Sequence, residues 1–306
     1  MRLDSHMERR SVVTIGVFDG VHRGHLALLE TTVALATSEG LRPAVVTFHP
    51  HPKAVLRGQE LPQLATVARR SRLLQQHGIE LVHVCTFDAA RASQSAADFI
   101  EDVLLNTMQA SIVVVGEGFR FGKGAQGNAQ TLRDAGLIVH EVAVVAADEE
   151  RISSTRIRQL LSDGDIASAR PLLTRPHRLE GVIVDGNKRG RDIGYPTANL
   201  AAADGLLIPA DGVYAGWLVR GEIAHGFDGE TALPAAISIG TNPTFDDVFE
   251  RRVEAYVLDR TDLDLYVEYV AFDFHARIRG TVKFDGLDAL LDAMANDVEQ
   301  TRRLLS

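Results

Sequence analysis

Apolar and polar residues follow two different rhythms along this chain, and the change falls a little past its middle. In the first half, short apolar runs at 12–15, 43–48, 81–87, 111–116 and 137–145 predict strands. Between them, residues 26–38, 65–77, 95–106 and 131–135 space their apolar positions three and four apart and predict helices. Strands rich in Val and Ile that alternate with helices predict a doubly wound parallel sheet covered on both faces. Ligands of such sheets bind outside the carboxyl ends of the strands.

After Pro171 the helical spacing fades. Strand patterns at 179–184, 212–219, 235–239, 252–258 and 265–274 follow closely, broken by Gly, Pro and Asp. They predict a small antiparallel β-barrel. Helical spacing returns at 287–305. The expected architecture is therefore α/β, with a sheet domain over 8–174 and a barrel domain with a terminal helix over 175–306. The boundary is placed near Thr174-Arg175-Pro176. Ser5-His6-Met7 reads as added sequence before a natural start at Met7, so residues 1–6 are set aside.

Composition narrows the classes. With 306 residues the chain is long enough for two cores. A net charge of −9 argues against a nucleic-acid partner held on a broad basic surface. No apolar run reaches the roughly 18 residues of a membrane span, so no membrane partner is expected. Cys85 is the single cysteine, which excludes an intrachain disulfide and fits a reducing cytoplasm.

The richest chemistry lies in TIGVFDGVHRGHLALL, from Thr14 to Leu29. A strand ends at Gly16, Asp19-Gly20 turn, and a helix starts near Gly24. His22 and His25, three apart, can share one helical face. A helix N-terminus attracts anions, and Gly24 lets a phosphate come close to the backbone. Gly16, Asp19, His22, Gly24 and His25 thus outline a triphosphate site. Ser153-Ser154-Thr155-Arg156-Ile157-Arg158 precedes a helical run. Ser154 and Thr155 can cap it or hold phosphate oxygens, with Arg158 one turn on to neutralise charge. The stretch GEGFRFGKGAQG from Gly116 is a glycine-rich loop after a strand. It reads either as a plain surface loop or as a mobile one whose Phe119 and Phe121 cover a nucleotide or flat ring.

A second cluster is GRDIGYPTAN, ending at Asn199. Gly194 and Pro196 shape an extended segment on which Thr197 and Asn199 point the same way. Neutral hard oxygens of this kind suit a Mg²⁺ that takes its other ligands from phosphate and water. Glu254 sits in the strand pattern Arg252-Val253-Glu254-Ala255-Tyr256. By itself it reads as one more exposed carboxylate.

On these residues the chain resembles the bacterial bifunctional riboflavin kinase/FAD synthetase family over nearly its whole length. G-x-F-D-G-x-H-x-G-H and S-S-T-x-x-R look like the adenylyltransferase signatures. G-x-P-T-A-N, Gly212-Val213-Tyr214, the I-G-T-N-P-T-F of 239–245 and Asp264-Leu265-Tyr266 look like the flavokinase signatures. The resemblance implies ATP, riboflavin and FMN as substrates, with FMN and FAD as products. It implies Thr197 and Asn199 as the Mg²⁺ and ATP-phosphate residues and Glu254 as the base for the flavin's ribityl hydroxyl. It also implies that His22, His25, Ser154, Thr155 and Arg158 hold the triphosphate during adenylyl transfer. Val17, His49 and Gly118 stand where that family commonly carries Asn, an acidic residue and a polar residue. Val267 stands where a Gly often follows D-L-Y. Two alternatives follow: a riboflavin kinase with a weakened or altered first domain, or a flavin-binding regulatory protein.

Overall fold

The computed structural model describes residues 10–143, 146–147, 150–185, 194–221, 231–241, 251–260 and 262–306. The chain divides into two compact units. One holds Met1–Leu61 and Thr66–Ser153, the other Pro62–Ala65 and Ser154–Ser306.

The first unit runs β1 (Ser11–Ile15), α1 (Arg23–Glu39), β2 (Arg42–His49), α2 (Pro52–Arg57), α3 (Val67–Gln76), β3 (Leu81–Thr86), α4 (Ala89–Ser93) and α5 (Ala96–Phe99). The helix widens into π turns over Ile100–Thr107. Then follow β4 (Ala110–Gly116), α6 (Ala129–Asp134), β5 (Ile138–Val142) and the short pair β6 (Ala146–Ala147) and β7 (Glu150–Arg151). The five long strands are parallel, in the order β3-β2-β1-β4-β5. Successive side chains of a strand face opposite sides, so the apolar runs feed two cores. Val13, Ile15, Val46, Val113 and Val115 pack with Phe99, Val103 and Leu104 on one side. On the other side Val45 packs with Leu29, Leu73 and Leu74, and Val12 and Val114 with Ala36. Strand order reverses between β1 and β4, which places the ligand crevice of such a sheet beyond the carboxyl end of β1.

The second unit opens with α7 (Ser154–Ser162) and α8 (Ile166–Leu173). Strands β8 (His177–Val184), β9 (Thr197–Ala202), β10 (Gly212–Arg220), β11 (Thr231–Gly240), β12 (Arg252–Val257) and β13 (Tyr269–Arg279) follow, then α9 (Leu287–Leu305). The six strands close an antiparallel barrel in the order β10-β11-β12-β9-β8-β13. Leu179, Tyr214, Leu218, Ile237, Ala255, Phe272 and Phe274 fill its interior. Closure needs a close approach at Gly216, where a Cβ would stand 2.0 Å from the Asp273 carbonyl oxygen. The register of β10 on β13 slips at the same point, between Ala215 and Gly216. Helix α9 is pinned through its buried Asp297, which accepts from Arg279 Nη2 at 2.7 Å.

Helices α7 and α8 pack with this barrel unit. The Ala210 amide donates to the Leu161 carbonyl at 3.1 Å, and α8 buries Ile166, Ala169, Leu172 and Leu173. Residues 62–65 are tied in as well, by Gln63 N–H to Gly205 O at 2.7 Å and Leu207 N–H to Gln63 O at 2.8 Å. Helix α8 escapes the hydrophobic rhythm because Pro171 sits inside it.

Strand β13 starts at Tyr269, four residues later than the pattern predicts, and continues to Arg279. A turn occupies the difference. The Glu268 amide donates to Leu265 O at 2.9 Å, and Val267 sits at φ +64° with 66% of its surface exposed. A β-branched residue there carries backbone strain and gains no packing. Val267→Gly should relieve it and stabilise the chain by about 1 kcal/mol net of the entropy that Gly adds to the unfolded state. Calorimetric melting checks this, with an upward shift of about 2–4 °C for the barrel transition.

Candidate functional site

In the first unit, β1 ends against β2: the Gly16 amide donates to Val46 O at 3.0 Å. The loop that follows is held by one backbone acceptor. The Val17 carbonyl oxygen receives Thr47 Oγ1 at 2.8 Å and Arg70 Nη1 at 2.6 Å. Phe18 and Val21 both sit at positive φ, +52° and +38°, and both side chains are buried. Asp19 is also buried, at 1% exposure. Burial lowers the Arg70 pKa, and the nearby Asp19 charge opposes that shift.

Helix α1 starts early, at Arg23, because His22 caps it. The His22 amide donates to His25 Nδ1 at 3.2 Å. The two imidazoles stack at 3.6 Å with 16° between their planes, and the Phe18 ring meets His25 edge-on at 5.0 Å. Gly24 sits in a crowded place, since a Cβ would lie 3.2 Å from both the His22 ring and Ile152 O, and one of them would have to give. The first turn of α1 contains no acidic residue, so its free N–H groups keep their attraction for an anion. The structure thus brings Gly16, Asp19, His22, Gly24 and His25 together, at the end of β1.

Ser154, Thr155 and Arg158 lie on α7, in the other compact unit. Arg158 is buried and spends Nε on the Pro62 carbonyl at 2.7 Å, a structural tie that its sequence position did not reveal. Phe119 and Phe121 stack at 5.6 Å, and Phe121 tilts against Phe99 at 5.7 Å. Their loop is pinned by paired backbone bonds between Phe121 and Gly127, at 3.1 and 2.9 Å. Gly127 is needed there, as a Cβ would fall 2.8 Å from the Phe121 ring.

In the second unit, Asn199 of β9 pairs directly with Glu254 of β12, and Thr197 with Tyr256. All four therefore share one face of the barrel wall. Val253, Ala255 and Val257 point to the interior instead. Thr197 Oγ1 donates to Glu254 Oε2 at 3.2 Å. Tyr195 and Tyr256 meet edge-on at 5.1 Å beside them. Burial raises the Glu254 pKa, and the Thr197 hydroxyl and the Arg252 charge pull it back only in part. Asn199 Oδ1 is buried with no hydrogen-bond partner among the described residues. An acceptor without a donor suits a cation better than a neutral neighbour. No group of three His, Cys, Asp or Glu side chains fit to hold a metal occurs among the described residues. A hard cation here would therefore depend on neutral oxygens, water and phosphate. Gly194 precedes the segment at φ +85°. Residues 190–193 and 242–250, which contain parts of two predicted motifs, lie outside the described residues.

Reasoning from sequence missed three participants. Arg70 looks like any cation in the basic run Arg69-Arg70-Ser71-Arg72. Thr47 was absorbed into a strand. Tyr256 lacked a partner until β12 was paired with β9.

Two family models match the chain: FAD synthetase over residues 4–156 and riboflavin kinase over residues 173–305. The bifunctional riboflavin kinase/FMN adenylyltransferase of Listeria monocytogenes is 32% identical, covering 98% of this chain and 94% of that protein. The Escherichia coli protein of the same name is 34% identical, with 94% and 90% covered. A crystal structure of a Streptococcus pneumoniae protein described as a macrolide-efflux protein superposes with a TM-score of 0.85 at 35% identity, covering 98% of this chain and 96% of that one. Among the described residues no helix is long and apolar enough to cross a membrane. With relatives above 30% identity matched over at least nine-tenths of both chains and both family models in sequence order, the chain belongs to the bifunctional riboflavin kinase/FMN adenylyltransferase family.

Proposed function

We propose that the chain makes both flavin cofactors in turn. The barrel unit phosphorylates riboflavin with ATP to give FMN and ADP. The sheet unit transfers AMP from a second ATP to FMN, giving FAD and pyrophosphate. The observation that carries this reading is the half-buried set of Thr197, Asn199 and Glu254 on one barrel face, in a chain that also holds a sheet domain with its histidine-capped anion site. A kinase-only or regulatory role leaves the second of these without a purpose.

In the kinase step the ribityl hydroxyl attacks the γ-phosphorus of ATP, its proton passes to Glu254, and ADP leaves. Glu254 is poised for this because burial raises its proton affinity above that of an ordinary carboxylate. Thr197 and Asn199 would hold Mg²⁺ together with the phosphates, and Gly194 shapes the approach to them. The ion supplies charge neutralisation to the transferring phosphate. In the adenylyl step an FMN phosphate oxygen attacks the α-phosphorus, and the bond to the β-phosphate oxygen breaks. His22 and His25, with Gly16, Gly24 and the α1 N-terminus, stabilise the developing charge. Asp19 fixes the loop, and Ser154, Thr155 and Arg158 offer two hydroxyls and a cation to phosphate oxygens. The stacked Phe119 and Phe121 offer a flat surface to the flavin. The functional boundary falls at 174/175, with the adenylyltransferase over 8–174 and the kinase over 175–306. The setting is the cytoplasm, which suits a chain whose single cysteine is buried. Neither nucleic acid nor membrane is needed as a partner.

Chromatography of the products from riboflavin, ATP and Mg²⁺ should show FMN first and FAD after it. FMN without FAD would leave only the kinase half standing. Glu254→Gln should slow FMN formation by about 10²–10⁴-fold with riboflavin binding retained. The acid limb of the wild-type rate should lie above 4.5, the ordinary value for this carboxyl, because burial raises it; that limb should vanish in the variant. The stability effect has the opposite sign. A raised carboxyl pKa penalises the folded state as pH rises through 4.5 towards the raised value, and not below both. Glu254→Gln should accordingly melt higher than wild type at neutral pH and show no such gain in acid.

His22→Ala combined with His25→Ala should abolish FAD formation and leave FMN formation near wild type. Donors of this kind contribute roughly 3–4 kcal/mol each. Robust FAD synthesis by the double variant would remove the adenylyltransferase role from this site.

A further inference from the structure

Arg70 stands out among the buried polar groups. It is the largest side chain among the described residues that is fully withdrawn from water, at 1% exposure. It stands on α3, whose Leu73 and Leu74 pack with Phe18, Val21, Leu29 and Val45. Only one of its donors is placed, Nη1 on the Val17 carbonyl. Its Nε and Nη2 are buried with no acceptor among the described residues. Such a group costs stability, because a buried cation with unmade hydrogen bonds is worse than an apolar side chain of the same size. Yet an apolar side chain at this position would take one donor from the Val17 oxygen and the counter-charge from the buried Asp19 carboxylate.

The loop above it explains the choice. Phe18 and Val21 hold left-handed backbone without being glycine. Strain of that kind persists only where the surroundings over-determine it. The Val17 carbonyl is the handle: Thr47 grips it from β2 and Arg70 from α3. The same guanidinium faces the Asp19 carboxylate two residues further on, and their charges interact. His22 then caps α1 and stacks on His25. A shift at Val17 or Asp19 is passed directly to both imidazoles.

We infer that Arg70 is a positioning residue of the adenylyltransferase site, clamping the loop of residues 16–22 so that His22 and His25 meet ATP in a single arrangement. The inference rests on the adenylyltransferase reading given above. Arg70 touches no substrate in this role. It acts through the Val17 carbonyl and Asp19.

The test is steady-state FAD and FMN formation by the full chain carrying Arg70→Met or Arg70→Lys, with thermal melting of each. Arg70→Met should lower kcat for FAD formation by about 10²-fold, the cost of a misplaced catalytic group. KM for ATP should change far less, and FMN formation should hold at the wild-type rate. The melting temperature of Arg70→Met should fall, because the buried Asp19 carboxylate loses its counter-charge, so both rates are read well below the melting midpoint of each variant. Arg70→Lys keeps the charge towards Asp19 and should recover part of the lost kcat. Full FAD turnover in Arg70→Met overturns the inference. So does a loss of FMN formation in parallel with FAD formation in both variants below their melting midpoints, which marks a purely structural residue. A wild-type chain that makes no FAD is a separate outcome: it removes the adenylyltransferase reading and this inference with it.

Discussion

One backbone oxygen organises the nucleotide end of the sheet. The Val17 carbonyl joins three segments that the chain makes far apart: the loop after β1 carries it, Thr47 reaches it from β2, and Arg70 from α3. Withdrawing strained residues from water is tolerable only because this oxygen is doubly engaged. The buried Phe18 ring then supports His25, and His25 caps the turn at His22. A strong local conformational preference could not hold such a loop. Two long-range hydrogen bonds to a single acceptor do.

The barrel solves a related problem by register. Glu254 looks like a solvated strand residue in the sequence, and Asn199 like part of a turn. Antiparallel pairing sets them directly opposite each other. Burial then makes the carboxylate a better proton acceptor and leaves the Asn199 oxygen without a donor among the described residues. A slip of one residue between β9 and β12 would turn the whole set to the opposite face of the wall. The close approach at Gly216 and the β10–β13 slip beside it belong to the closure that fixes this register. Chemistry on the outer face is therefore tied to packing on the inner one, where Val253 and Ala255 alternate with it.

Much of this was legible in the sequence, for a physical reason. Buried parallel strands must be continuous apolar runs, and amphipathic helices must repeat near 3.6 residues. Strand and helix periods therefore marked the sheet, its long helices and the closing helix. Glycines and histidines marked the end of β1, because an anion site at a helix start needs them close in sequence. What stayed hidden depends on long-range contact. Nothing local distinguishes Arg70 from Arg69 or Arg72, and only tertiary packing buries one of them against the Val17 carbonyl. Helix α8 was hidden by Pro171. The start of β13 was hidden by an apolar Val267, which a pattern of hydrophobicity counts as strand but the backbone places in a left-handed turn.

The same distinction bears on the three positions where the chain departs from the residues its family commonly carries. At position 17 it is the main-chain oxygen that receives both hydrogen bonds, and a valine offers that oxygen as well as any residue. At position 118 the backbone is left-handed, φ +74°, and a Cβ there would touch nothing. Glycine adopts that conformation without strain. His49 ends β2 exposed to water, beyond the buried Thr47 that holds the loop. None of the three side chains makes the contacts that shape the loop of residues 16–22. That geometry is set by Thr47, Arg70 and the paired histidines, and all four are present.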